Sequence, residues 1–279
     1  MKPATSEAIS RWQRRAFAVG MAVLGAGLVA LLVLPVLALV VTAAPGDIVA
    51  GFRHPVALPA LLLSLTTTAV SLVLVLLLGT PLAWWLANGQ GRLAHAVETV
   101  VALPVVIPPA VAGIALLLTF GRRGLLGSWL AALGWSVSFS TTAVVLAQIF
   151  VSAPFFLQGA TAAFRSLDRS LLVVARTLGA SPARIFFRVA LPLAGPGLVS
   201  GAAMAWARAL GEFGATLMFA GNLTGKTQTL PLAIYTALES DLRAAQALSL
   251  LLVVVAFGLL LVLRRRPPWQ PGRSEAQDR

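Results

Sequence analysis

The sequence predicts an all-α, polytopic membrane protein with six transmembrane helices, and three observations carry that reading. Charged residues are 11% of the 279 positions, against about 25% in a soluble domain. Hydrophobic residues reach 58% and mean hydropathy is +0.90, which excludes disorder, collagen and low-complexity linkers as the main content. Six stretches are long and apolar enough to cross a bilayer core of about 30 Å, which takes roughly 20 apolar residues. Lipid satisfies no open backbone groups, so these stretches must be helical.

The first span is Ala16 to Val41. It follows Arg14-Arg15 and ends near Ala43-Ala44, as a cleaved signal would. Its apolar run of about 26 residues exceeds the 7–15 of a signal core, so an uncleaved anchor is expected. The second span, Leu58 to Ala87, contains the uninterrupted run Leu72 to Leu78. The third, Val97 to Phe120, carries Pro104, Pro108 and Pro109, which remove backbone donors midway. That discontinuity reads either as the lining of a translocation pathway near the midplane or as a packing kink, since proline is frequent in membrane helices. The fourth span is Phe139 to Phe164.

A segment of about 26 residues, Arg165 to Ala190, then interrupts the spans with helical grammar of its own. Asp168 is placed to cap a helix through Leu178, Gly179 to end it, and Ser181-Pro182 to start a second helix running to about Ala190. Leu171, Leu172, Ala175 and Leu178 fall at helical spacing, as do Ile185, Phe186 and Val189. Such a helix–turn–helix either lies in the membrane plane as a plain anchor or offers one face to a cytoplasmic partner.

The fifth span, Leu191 to Ala220, opens on Leu191-Pro192 and holds Arg208 and Glu212, four apart on one helix face. At 1.5 Å per residue they lie about 24 to 30 Å from Pro192, toward the far end. They read as an internal ion pair or as part of an outer gate. The sixth span is Ala244 to Leu263. The resulting division is a tail 1–15, a membrane domain 16–263 and a tail 264–279.

Basic residues set the orientation, because Lys and Arg accumulate on cytoplasmic flanks. With the N-terminus inside, 15 of 21 fall on inner segments, five of them in the 165–190 loop, so both termini are expected to be cytoplasmic. This asymmetry accounts for the net charge of +12 without nucleic acid, as no basic stretch is interleaved with base-stacking aromatics. Glu98 and His95 read as interfacial, and Trp84, Trp85, Trp129, Trp135 and Trp206 mostly as interface-belt aromatics. With no cysteine and two histidines, His54 and His95, the chain lacks material for a thiol nucleophile or a histidine-rich metal cage. No paired-carboxylate or Ser/His/Asp constellation is present, so the chain is expected to be non-catalytic and to bind no cofactor. Ala220 to Thr227 fits a relaxed phosphate-loop pattern, yet it lacks the strand, helix and acid of a Walker site and faces outward.

The string Ala175-Arg176-Thr177-Leu178-Gly179-Ala180-Ser181, followed by Pro182, Arg184-Ile185-Phe186 and Leu191-Pro192, resembles the EAA loop of binding-protein-dependent ABC importer permeases. The family's glutamate and first alanine fall at Val173 and Val174. Gly79 to Ala83, Leu103-Pro104, Ile107 to Gly113, Phe120 to Gly124, Gly211 to Asn222 and Lys226 to Tyr235 are similar to the molybdate branch, whose architecture sulfate and tungstate permeases share. The resemblance implies a type I ABC importer permease fold and a homodimer in the lipid bilayer. It implies an ABC ATPase subunit, carrying ATP and Mg, docked on the 165–190 loop. It further implies an extracytoplasmic molybdate-binding protein that delivers the oxyanion to the outer loops 42–57, 121–138 and 221–243. The rivals are a stand-alone secondary transporter or channel, which needs coupling carboxylates in its spans where only Glu212 qualifies, and a membrane scaffold.

Overall fold

The computed structural model describes residues 4–43, 46, 49, 51, 54–89 and 91–264. Among these the fold is helical without strands: α1 (Ala4–Val41), α2 (Ala57–Asn88), α3 (Arg92–Val106), α4 (Pro109–Phe120), α5 (Gly127–Ala132), α6 (Thr141–Arg165), α7 (Arg169–Thr177), α8 (Pro182–Ile185), a π turn (Phe186–Ala190), α9 (Leu191–Leu210), α10 (Gly214–Ala220), α11 (Leu230–Ser240) and α12 (Leu242–Arg264). Five helical stretches are long and apolar enough to span a membrane, and the pair α3 and α4 makes a sixth if its two halves count as one. Arg53 and several other residues of the 42–57 loop, with the tail beyond Arg264, lie outside the described residues.

The hub is α6, which packs against α2, α3, α4, α9 and α10. Small residues permit this, because helices in lipid gain association from close van der Waals contact rather than from expelling water. A Cβ on Gly79 of α2 would lie 2.8 Å from the Phe156 ring, and Gly159 of α6 faces Gly201 of α9. Three buried clusters follow. One joins Val75, Phe156, Phe164, Leu172, Ile185 and Ala194 at the α7 end. A second joins Leu116, Val144, Val151 and Phe219 around α4 and α10. The third packs α2 on α11 and α12 through Ala60, Leu230 and Leu248. Helix α1 stands apart: its apolar stretch is 0% buried within the chain, and Gln246 of α12 reaches it through Nε2, donating to Leu39 O at 3.2 Å and Thr42 Oγ1 at 2.7 Å.

Two expected spans prove broken. The third turns by 116° between α3 and α4. Its cause is local: Ile107 is extended (ψ 127), as a residue before proline prefers, Pro108 is extended as well (ψ 136), and Pro109 starts α4 at N1, where its missing N–H costs nothing. Pro104, expected to share in the break, remains inside α3. The fifth span ends at Leu210 instead of Ala220, and α10 restarts after Gly211, Glu212 and Phe213.

The second helix of the 165–190 segment is corrected too. It does not close at Ala190 before a new span, because α8, the π turn and α9 form one continuous stretch, Pro182–Leu210. The π turn closes with Leu191 N donating to Phe186 O and sits just before Pro192, whose ring crowds the carbonyl four residues back and whose N–H is missing.

Candidate functional site

The loop between α6 and α9 is built as its capping residues dictate. Asp168 Oδ1 accepts from Ser170 N at 2.8 Å and caps α7. That bond to the backbone, with a further one from the Ser170 side chain, holds the Asp168 carboxyl below its ordinary value of 3.8. At the other end Gly179 N donates to Arg176 O (2.9 Å) and Ala180 N to Ala175 O (3.0 Å), the bonding pattern of a Schellman motif. Gly179 sits at φ +81, a conformation that costs a side-chain-bearing residue roughly 1–2 kcal/mol. Ser181 Oγ then accepts from Arg184 N at 3.3 Å, with Pro182 at N1 of α8.

This loop has two apolar faces rather than one. Leu172 and Ile185 are buried against α6 and α9, with Ala175 and Ala180 partly buried beside them. Trp84, expected in an interface belt, instead packs into this base, 5.3 Å from the Phe164 ring and 5.5 Å from Phe186. Leu171, Val174 and Leu178 form the second face at i, i+3 and i+7, and they are 47%, 54% and 82% exposed. Arg176, Gly179, Ser181 and Pro182 are exposed around the turn, while Leu191 is half-buried and Pro192 exposed where α9 begins. The four leucine and alanine positions grouped by spacing in the sequence are therefore split between the bundle and the exposed stripe.

At the far end of α9, Arg208 Nη1 donates to Glu212 Oε2 at 2.7 Å. Glu212 is 1% exposed and its other oxygen accepts from Ala215 N at 2.7 Å. One carboxylate thus neutralises Arg208 and satisfies a free N–H in the first turn of α10. The broken halves α4 and α10 meet closely there: a Cβ on Gly113 would lie 2.6 Å from Ala215 O. Pro108 and Pro109 are exposed and Pro104 half-buried. The structure brings the α4 start and the α10 start together, through Gly214 against Pro109, and keeps both far along the fold from the Gly179 turn.

Sequence reasoning misses two polar arrangements. Arg165 donates from both Nη atoms to the Glu98 carboxylate at 3.0 Å each, and Nη2 also reaches Leu86 O at 3.4 Å. This fork ties the end of α6 to α3 and α2. In the bundle, Gln148 Nε2 donates to Thr67 Oγ1 at 3.1 Å while its Oε1 accepts from Ser71 at 2.9 Å. Ser64 on the same α2 face accepts from Leu230 N at 2.7 Å. The spacing of Ser64, Thr67 or Thr68, and Ser71 was the available signal, an i, i+3/i+4, i+7 polar stripe on an apolar helix. Nearby, Thr216, Asn222, Gln228 and Thr229 each keep a buried oxygen without a hydrogen-bond partner among the described residues; such groups are ordinarily met by water or a ligand.

The binding-protein-dependent transport system inner membrane component family matches residues 79–266. The chain belongs to that family. It is a multi-pass inner-membrane protein whose family match runs from Gly79, in the last third of α2, to the end of α12. It is 54% identical to the molybdenum transport system permease protein ModB of Mycobacterium tuberculosis over 209 residues, 75% of this chain and 79% of that one. It is 40% identical to ModB of Azotobacter vinelandii, over 74% of this chain and 91% of that one. In fold it is similar to a bacterial ABC transporter that imports the acidic polysaccharide alginate, with TM-score 0.72 at 18% identity over 92% of this chain and 96% of that one. A second fold neighbour is the MetNI methionine ABC transporter in an inward-facing conformation, TM-score 0.60 at 20% identity over 75% and 94% of the two chains.

Proposed function

We propose that this chain is the transmembrane subunit of an importer that moves molybdate across the cytoplasmic membrane, driven by ATP hydrolysed on a separate ATPase subunit. The observation that carries the mechanism is the exposed stripe Leu171, Val174 and Leu178 on a helix whose opposite side, at Leu172, is anchored in the bundle. A contiguous apolar face left in water marks a protein contact, and a groove-seeking amphipathic helix is a common way to make one. Because α8, the π turn and α9 are continuous, a displacement of the Gly179 turn is carried along one helical stretch to the Arg208–Glu212 pair and the α4–α10 contact. ATP binding on the ATPase pair then shifts access from one side to the other, a coupling between two sites with no chemistry in the membrane.

In this reading the loop side is cytoplasmic with both termini, two copies form the passage, and an extracytoplasmic binding protein supplies the oxyanion. The 54% identity to a molybdenum permease supports the substrate. The Arg208 charge is neutralised by Glu212, so the α9 end holds no strong fixed anion site and serves a passage better than a tight pocket. The test is uptake in cells lacking the chain and supplied with submicromolar oxyanion. Restored molybdate uptake that requires the co-expressed ATPase is expected. Restoration of sulfate uptake without molybdate, or of uptake without any ATPase, contradicts the proposal.

A further inference from the structure

We propose that the cavity walled by Arg122, Lys226, Ser136, Ser138 and Ser140 is a receiving site for a hydrated tetrahedral oxyanion, a reading that rests on the permease function above. Its volume is about 550 Å³. At about 30 Å³ per liquid water it takes an oxyanion with much of its hydration shell, which suits brief occupancy during passage.

The walls set two cations and serine hydroxyls beside the apolar side chains of Leu117 and Phe139. Arg122 follows α4 and Lys226 follows α10, so the two broken halves each deliver one cation to the same space. Ser136 and Ser138 on the approach to α6 supply neutral hydroxyl donors, whereas the Ser140 hydroxyl donates to Val137 O and accepts from Ala143 N. Among the described residues no carboxylate lines the cavity. This separates it from Arg208 and Arg165, each of which is matched by a glutamate.

The cavity is also built, not left over. Val137 is buried in the apolar cluster around Phe219, whereas Ser136 and Ser138 on either side of it wall the cavity. Ser138 is only 7% exposed. Phe139 holds φ +57, unusual for a residue with a side chain, and its ring packs beside Gly221. Thr141 Oγ1 donates to Lys226 O at 3.0 Å and fixes the Lys226 loop to the start of α6. Ser140 caps α6, and the positive end of that helix dipole opens toward the same side.

The chain contains no cysteine, so Ser136→Cys places a single thiol on the cavity wall. In the complex of this chain with its ATPase in nanodiscs, an anionic methanethiosulfonate is expected to modify that thiol at least about tenfold faster than a cationic one, with modification read on this chain by mass. Millimolar molybdate or tungstate is expected to slow the reaction, and Arg122→Gln with Lys226→Gln to abolish both the charge preference and the protection. Equal rates for the two reagents, or no protection by either oxyanion, overturns the site. Protection only by the binding protein, loaded or empty, overturns it in favour of a docking surface. Molybdate uptake by the unsubstituted chain is measured in parallel: uptake with an unprotected thiol overturns this inference alone, and absent uptake overturns the permease reading itself.

Discussion

At its Pro182 end the long rod of α8, π turn and α9 leads into a turn that is capped, exposed and apolar on its free side, and at its Leu210 end it stops against a buried carboxylate. Both ends break helices, yet by opposite means. The Gly179 turn satisfies its backbone within itself, through the Schellman bonds to Ala175 and Arg176, and leaves Leu178 82% exposed. The Gly211 to Phe213 break relies on one side chain, Glu212, to meet both Arg208 and the start of α10. On the proposed function a partner chain covers the exposed turn. The Gly211 to Phe213 break, with Glu212 buried, is satisfied within the chain.

If that contrast is right, substitutions at the two ends separate stability from assembly. The largest loss is expected for Glu212→Ala, which leaves the buried Ala215 N–H without its acceptor and the part-exposed Arg208 without its partner. About 3 kcal/mol is expected, read as a fall in unfolding temperature of the detergent-solubilised chain. Gly113→Leu should follow at about 1–3 kcal/mol, since its first side-chain atom would meet the Ala215 carbonyl at 2.6 Å and backbone cannot step aside. Gln148→Leu removes both side-chain bonds to α2, leaving Thr67 its own helix carbonyls and Ser71 the carbonyls of Thr67 and Val145; about 1 kcal/mol is expected in the same assay. An unchanged unfolding temperature for Glu212→Ala would erase the contrast.

The smallest effect concerns Asp168. Its carboxyl is held below its ordinary value by the Ser170 backbone and side chain. A depressed folded value means the contribution is complete above the unfolded value and is lost as pH falls through the folded one. Amide exchange at Ser170 should therefore be protected at neutral pH and lose protection below about the aspartate value of 3.8, with Asp168→Ala unprotected throughout. A pH-independent rate in the unsubstituted chain would show that the carboxylate does not cap α7.

Much of this was legible beforehand because the governing physics is local. Bilayer thickness and hydrocarbon solvation set the spans, and Asp168, Gly179 and Ser181 sit where capping rules put them. The Arg208–Glu212 pair was visible as an i, i+4 spacing. The breaks at Ile107–Pro109 and Gly211–Phe213 were harder, since a run of apolar residues has the same composition whether it continues straight or turns by 116°. The Arg165–Glu98 fork and the Gln148 bonds join helices distant in sequence, and no spacing rule encodes them. The two-faced loop was missed because neighbouring leucines, Leu171 and Leu172, look alike in a sequence and differ only in which side the bundle occupies.

The central claim, that the energy for transport enters from another chain at the exposed stripe, rests most directly on Leu178. Leu178→Asp, measured beside Gly179→Val, should leave the unfolding temperature of the isolated chain nearly unchanged, because an exposed position away from the bundle contributes within about 0.5 kcal/mol. Both variants should lose co-purification with the ATPase and, with it, oxyanion uptake. ATPase binding and uptake retained at the unsubstituted level in Leu178→Asp would contradict the account.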